Sequence, residues 1–70
     1  MSTVLTVNGG PWSWEGTGLP TVADVVAAWC PSPRGVAVAR NGEVVPRSRW
    51  EDQRLEPGDA LELVTAVAGG

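Results

Sequence analysis

The sequence predicts an α+β domain in which a small mixed sheet packs against one helix. Several short segments are rich in β-branched residues and are separated by Asn-Gly and Pro-Gly pairs, whereas one segment has helical periodicity. The chain has 70 residues, which is the size of one small domain. A single thin core must therefore serve all of these elements.

The first two strands are predicted near the start of the chain. Residues 3–7 alternate and are rich in β-branched side chains, so they form the first strand. Residues 8–11 (Asn-Gly-Gly-Pro) form a turn, because Asn and Gly tolerate positive φ. Trp12 and Trp14 are two residues apart, so they share one face of a second strand and cover one edge of the core.

The helix is predicted to follow Thr21. Thr21 is a good N-cap, and Asp24 can complete a capping box three residues later. The prolines at positions 31 and 33 end the helix, since the residue before a proline resists the α conformation. A buried stripe with the spacing i, i+3, i+4 and i+7 is predicted for Val22, Val25, Val26 and Trp29.

A hairpin is predicted in the middle of the chain. Residues 36–40 are nearly all small and apolar, so this third strand is expected to be central and buried. Asn41-Gly42 is the favoured two-residue hairpin turn, and residues 43–45 return as the fourth strand.

A corner and a last strand complete the predicted fold. Pro46 stops the fourth strand because it has no N–H to donate, Ser48 is expected to cap a short turn, and Trp50 to plug the end of the core. Residues 57–58 (Pro-Gly) suit a type II turn that opens a strand over residues 60–67. The helix stripe can be buried only against one face of this sheet. The result is the ubiquitin-like β-grasp arrangement, although the pattern also allows other α+β layouts.

Composition excludes several classes of function. The chain has no His and no Lys, and Cys30 is its single cysteine, so a His-based triad, a Schiff base and a cysteine-clustered metal site are all excluded. We therefore expect no catalytic residue, bound metal or bound cofactor, and Cys30 is expected either to be incidental or to serve packing. The five arginines are scattered against eight acids, which disfavours nucleic-acid binding. Neither a membrane span nor a signal peptide is present, so we expect a cytoplasmic protein.

The C-terminus is the remaining chemical group. A Gly69-Gly70 end has no β-carbons, so it can thread a narrow enzyme tunnel and present its carboxylate. That carboxylate is a poor electrophile, and its activation must come from outside, most simply as an acyl-adenylate made with ATP. We expect a body over residues 1–67 and a flexible carrier tail over residues 68–70.

The second half of the chain resembles a known family. Residues 41–50 (Asn-Gly-Glu-Val-Val-Pro-Arg-Ser-Arg-Trp) resemble the Asn-x-x-x-Val-Pro-Arg-x-x-Trp stretch of the ThiS family, the sulfur carrier proteins of thiamine biosynthesis. Residues 55–62 (Leu-Glu-Pro-Gly-Asp-Ala-Leu-Glu) and 67–70 (Val-Ala-Gly-Gly) resemble further segments of that family. The resemblance spans the chain, except that residues 11–18 carry nothing over.

The resemblance implies a β-grasp carrier rather than an enzyme. A ThiF-like adenylyltransferase, related to ubiquitin-activating enzymes, would use Mg-ATP to adenylate Gly70. Sulfur from cysteine, supplied through a cysteine desulfurase, would convert the adenylate to a thiocarboxylate. A ThiG-like thiazole synthase would then take that sulfur for the thiazole ring of thiamine.

Further residues receive roles beside Gly70. Gly69 would keep the tail slim, and Ala66, Val67 and Ala68 would form an extended neck. Val64 and Ala66 lie on the strand face opposite Leu61 and Leu63, so they are candidates for an apolar docking patch with Glu62 at its rim. Ordinary strand packing is the alternative for Val64.

Other functions remain open at this point. A small subunit of molybdopterin synthase shares the Gly-Gly end and the thiocarboxylate chemistry, but its tail typically carries prolines before Gly-Gly. A sulfur carrier for another pathway is a second alternative. A β-grasp module that only binds proteins, or a ubiquitin-like modifier that forms isopeptide bonds, belongs to a different class.

Overall fold

The computed structural model of the protein describes residues 2–30, 32 and 34–65. Its strands and helix follow one another as β1 (Thr3–Val7), β2 (Gly10–Trp14), α1 (Val22–Trp29), β3 (Val36–Arg40), β4 (Glu43–Val45) and β5 (Ala60–Thr65). A 3-10 turn over Arg47–Arg49 follows β4. The predicted element order is therefore confirmed. Residues 66–67, which were expected to continue the last strand, lie outside the described residues.

The strands form one five-stranded sheet in the order β2-β1-β5-β3-β4. The central pair, β1 and β5, is parallel, and every other pair is antiparallel. Side chains on one face of the sheet pack with α1, which gives the β-grasp arrangement. The buried apolar core consists of Leu5, Val7, Val22, Val25, Val26, Val38, Val45, Trp50, Leu55, Leu61 and Leu63.

Both predicted asparagine-glycine turns join neighbouring strands. Asn8 and Asn41 each have a φ of 51°, and the following glycines have φ values of 83° and 87°. Positive φ at both central residues is the type I′ geometry, which matches the twist of the strands it connects. The turn sets the pairing of Arg40 with Glu43 and so the register of the β3–β4 hairpin.

Helix α1 begins as the sequence predicts. The Asp24 amide donates to Thr21 Oγ1, and the Asp24 carboxylate accepts from the Thr21 amide, so the capping box is complete. Val22, Val25 and Val26 are buried as expected, but the prediction for Trp29 is wrong because its side chain is 42% exposed. The helix ends at Trp29, so this last residue of the stripe lies at the rim of the core.

The segment after β4 corrects a second expectation. The 3-10 turn begins directly after Pro46, and no side chain caps it, so Ser48 does not have the predicted capping role. The Arg49 amide instead donates to the Pro46 carbonyl. Trp50 is buried as predicted, and its Nε1 donates to the Val45 carbonyl at 3.0 Å. This bond ties the turn back to the end of β4.

The loop between β2 and α1 packs against the second tryptophan of β2. Trp12 packs against the core, and the Trp12 and Trp14 rings lie 6.3 Å apart, as expected for neighbours on one face. The following loop is folded over Trp14, since Trp14 Nε1 donates to the Gly18 carbonyl. A β-carbon at Gly16 would lie 2.3 Å from the Trp14 ring, so this close approach requires glycine.

Strand β3 is buried on one face only. Val38 is buried, whereas Ala37 is exposed, so the expectation of a strand buried throughout is wrong. The sheet has a helix on one side, and small apolar residues on its other side face solvent. The run of apolar residues therefore reflects two different faces rather than complete burial.

Candidate functional site

Strand β5 places the C-terminal end of the described chain beside the centre of the sheet. It pairs with β1 on one side and with β3 on the other. Thr65 is its last described residue and stands five positions before Gly70. The predicted site residues Ala66, Val67, Ala68, Gly69 and Gly70 lie outside the described residues, so their roles stay predictions.

The predicted docking residues of β5 lie on the sheet face opposite α1. Leu61 and Leu63 are buried, whereas Glu62 is exposed and Val64 is 62% exposed. This alternation follows from the two-residue period of a strand. Packing into the core therefore does not account for Val64.

Neighbouring strands extend this apolar surface with residues that the sequence analysis did not select. Ala37 is the partner of Val64, and Ala39 is the partner of both Glu62 and Val44. Val44 is 78% exposed, and Ala37 is exposed as well. We call these residues, Ala37, Ala39, Val44, Glu62 and Val64, the sheet patch. The register of the β3–β4 hairpin could have predicted from the sequence that Val44 lies beside Ala39. The pairing of β3 with β5 could not be predicted in this way, because it joins segments that are distant in the chain.

Asp59 organises the beginning of β5. Arg40 donates to Asp59 through Nε at 3.0 Å and forms an ion pair with it at 2.9 Å. The Asn41 side-chain amide and the Glu56 backbone amide also donate to this carboxylate. Burial opposes ionisation, but these hydrogen bonds and the Arg40 charge together hold the pKa of Asp59 below its ordinary value. The cluster fixes the turn from which β5 starts and gives the Gly-Asp pair of the sequence a structural role.

A groove of about 570 Å³ lies between α1 and the 3-10 turn, and Cys30 and Trp50 are among its lining residues. Cys30 is partly buried and packs against the core, in agreement with the packing role expected for it. Over residues 2–30, 32 and 34–65, no three His, Cys, Asp or Glu side chains form a group that could hold a metal ion. In the same part of the chain, no helix is long and apolar enough to cross a membrane.

The fold and the exposed face define the class of protein. A five-stranded mixed sheet on one helix, with the last strand at its centre, is the architecture of ubiquitin-like β-grasp proteins. The model of the ThiS family matches residues 5–70, so the match extends to the terminal Gly-Gly. The chain belongs to the ThiS family, the small sulfur carriers of thiamine biosynthesis.

Two solved structures agree with this assignment. The chain is similar to the crystal structure of the thiamine biosynthesis protein ThiS from Geobacter metallireducens, with 32% identity, coverage of 97% of this chain and 100% of that chain, and a TM-score of 0.81. It is also similar to the NMR solution structure of a thiamine biosynthesis protein from Geobacter metallireducens, with 32% identity, coverage of 97% and 88%, and a TM-score of 0.79. A search of curated proteins gives no match.

Proposed function

We propose that the chain is a sulfur carrier that holds sulfur as a thiocarboxylate on Gly70 and donates it for formation of the thiamine thiazole. The observation that carries this proposal is the family match, which continues through the terminal Gly-Gly to residue 70. The relatives from Geobacter metallireducens are named as thiamine biosynthesis proteins, which supports the same pathway. In this proposal, residues 1–67 are the body that partners bind, and residues 68–70 are the tail that enters their active sites.

The chemistry begins with activation of the terminal carboxylate. A carboxylate oxygen of Gly70 attacks the α-phosphorus of ATP, and pyrophosphate leaves with Mg²⁺, giving an acyl-adenylate. Hydrosulfide then attacks the acyl carbon, AMP leaves with the bonding electron pair, and a thiocarboxylate remains. A cysteine-bound persulfide from a desulfurase can replace hydrosulfide if a thiol then reduces the acyl disulfide. The chain supplies no His or Lys for these steps, so catalysis belongs to the partners.

We propose that the sheet patch is where these partners dock. It lies on the strand that leads to the tail, so a partner bound there is next to the chain that must enter its active site. Val64 and Val44 offer apolar area, and Glu62 provides a charge that can select an arginine or lysine of the partner. The partners are a ThiF-like adenylyltransferase and then a ThiG-like thiazole synthase.

Pyrophosphate release tests the first step. The chain is incubated with a ThiF-like adenylyltransferase and Mg-ATP, and carrier-dependent pyrophosphate is measured. We expect release with the wild-type chain and none with two matched variants, one lacking Gly70 and one with an alanine appended after it. Both variants keep the described body, so their thermal melting should be unchanged. Equal release from all three chains would refute a specific role for the carboxylate of Gly70.

A further inference from the structure

Two asparagines hold β5 in the same way, one at its first residue and one in its C-terminal half. Asn8 and Asn41 have the same φ of 51°, and each is the first central residue of a hairpin turn. Asn8 Oδ1 accepts the Leu63 amide at 2.7 Å, and Asn41 Oδ1 accepts the Ala60 amide at 2.9 Å. Each asparagine also donates its own backbone N–H to a β5 carbonyl, Asn8 to Leu61 and Asn41 to Ala60. The side chains thus lengthen the hydrogen-bonded ladder beyond the turns.

The two anchors differ in where they act along β5. Asn41 holds the first residue of the strand, whereas Asn8 holds Leu63, which stands seven positions before Gly70. Backbone pairing between β1 and β5 ends at Val7 and Leu61, because β1 turns away at Asn8. In this part of the ladder, the odd-numbered residues of β5 direct their amides toward β1. Among residues 2–30, 32 and 34–65, Asn8 Oδ1 is the last hydrogen-bond partner of β5 on that side.

We propose that Asn8 is a positioning residue, whose side chain anchors the C-terminal half of β5 at Leu63 and so restricts the direction in which the carrier tail continues. The inference rests on the proposed function of Gly70. Without this bond, the backbone of residues 63–65 keeps its pairing with β3 but has no hydrogen-bond partner among the described residues on the β1 side. The terminal carboxylate then samples more orientations in the bound complex, and a smaller fraction of them is aligned with ATP. Docking through the sheet patch does not involve Asn8.

Three variants separate this role from a general effect on folding. Asn8→Gly removes the acceptor but keeps a residue suited to the positive φ of the turn, and Asn8→Asp keeps an acceptor at the same place. Asn41→Gly is the matched control, because it makes the same substitution in the same turn geometry at the beginning of β5. Asn41→Gly removes the bond from Ala60 and the bond to Asp59, and it leaves the bond from Leu63 intact.

Amide hydrogen exchange of the free proteins measures the strength of the hydrogen bond between the Leu63 amide and Asn8 directly. In Asn8→Gly, we expect the Leu63 amide to exchange about three to ten times faster relative to Ala60, the effect of losing one hydrogen bond. Asn41→Gly should show the opposite pattern, and Asn8→Asp should be close to wild type. A general loss of stability would speed exchange at both amides alike. Equal Leu63 protection in wild type and Asn8→Gly would refute the anchor.

Steady-state pyrophosphate release with a ThiF-like adenylyltransferase, Mg-ATP and sulfide, which displaces AMP and allows turnover, measures the effect on the tail. We expect Asn8→Gly to lower kcat by about threefold to tenfold with KM for the carrier unchanged, and Asn8→Asp to restore kcat. Asn41→Gly should change neither constant. Equal kcat values for Asn8→Gly and Asn41→Gly would overturn the positioning role. If the wild-type chain released no pyrophosphate, the proposed function would fail, and Leu63 exchange would still decide whether Asn8 anchors β5.

Discussion

Replacing Val64 with alanine should weaken docking of the chain to its activating partner without disturbing the fold. Val64 is 62% exposed on the β5 side of the sheet patch, so most of its side chain is available to a partner. A buried methylene is worth about 0.8 kcal/mol, and the substitution removes two carbons. Scaled by the exposed fraction that a partner can cover, the loss is about 1 kcal/mol. This corresponds to a rise of about fivefold in KM for the carrier.

The chain offers a matched control on the same sheet face. Val4 is 48% exposed. It lies two residues before Thr6 in β1, and Thr6 pairs with Ala60 of the parallel strand β5. Val64 lies four residues after Ala60. Six residue steps along the strand axis separate the two valines, a distance of about 20 Å. Val4→Ala therefore makes the same chemical change outside the sheet patch.

Steady-state pyrophosphate release at varied carrier concentration, with sulfide present to displace AMP, measures KM, and thermal melting measures stability. We expect KM to rise for Val64→Ala and to stay at the wild-type value for Val4→Ala, with kcat equal in all three chains. Each variant should lose only about 0.5 kcal/mol of stability, as is usual for exposed positions. A KM for Val64→Ala equal to that for Val4→Ala would contradict docking at the sheet patch.

Three further predictions concern stability. Trp50→Phe removes the bond to the Val45 carbonyl and leaves space in the core, so it should cost about 2 kcal/mol in urea unfolding; an unchanged midpoint would contradict this role. Thr21→Ala removes the N-cap and should cost about 1 kcal/mol, whereas Thr21→Ser should retain most of it. Because the pKa of Asp59 is lowered in the folded chain, its contribution to stability is complete above the ordinary pKa of Asp and declines as the pH falls through the folded value. Asp59→Asn should therefore reduce stability at pH 7 by about 1–3 kcal/mol and flatten its dependence on pH below about 4, and identical pH profiles would refute this.

Local chemistry made much of the fold predictable. The hairpin over residues 36–45 was predicted correctly because Asn41-Gly42 dictates a two-residue turn, and such a turn sets the strand register on both sides. The start of α1 was predictable for a similar reason, since Thr21 and Asp24 satisfy the first amides of the helix from three residues apart.

The incorrect predictions for Trp29 and Ala37 concern burial, which depends on how far the core extends. The spacing of Trp29 is that of a buried stripe, but periodicity does not show that the helix reaches the rim of the core at that residue. Ala37 was misassigned because a run of small apolar residues does not distinguish two buried faces from one. Ser48 was misassigned because the turn begins directly after Pro46.

The candidate site depends on contacts that are distant in sequence. Val64 and Val44 share a surface only because β3 lies between β5 and β4 in the sheet order. The bond between Asn8 and Leu63 joins residues 55 positions apart. The sequence gives no reason to expect it, because the hairpin turn alone accounts for an asparagine at position 8. Gly70 was selected from the chemistry of a glycine terminus and from family resemblance, and both sources remain its support.

Detection of the thiocarboxylate tests the central claim most directly. The Cys30→Ser chain is incubated with a ThiF-like adenylyltransferase, Mg-ATP and sulfide, then alkylated with a thiol reagent and mapped by mass spectrometry. Alkylation distinguishes replacement of oxygen by sulfur from oxidation of methionine or tryptophan, which gives nearly the same mass change. The account predicts a label on Gly70 that disappears when Gly70 is deleted. An unlabelled chain, with the same enzyme active on another carrier, would contradict the assignment as a sulfur carrier.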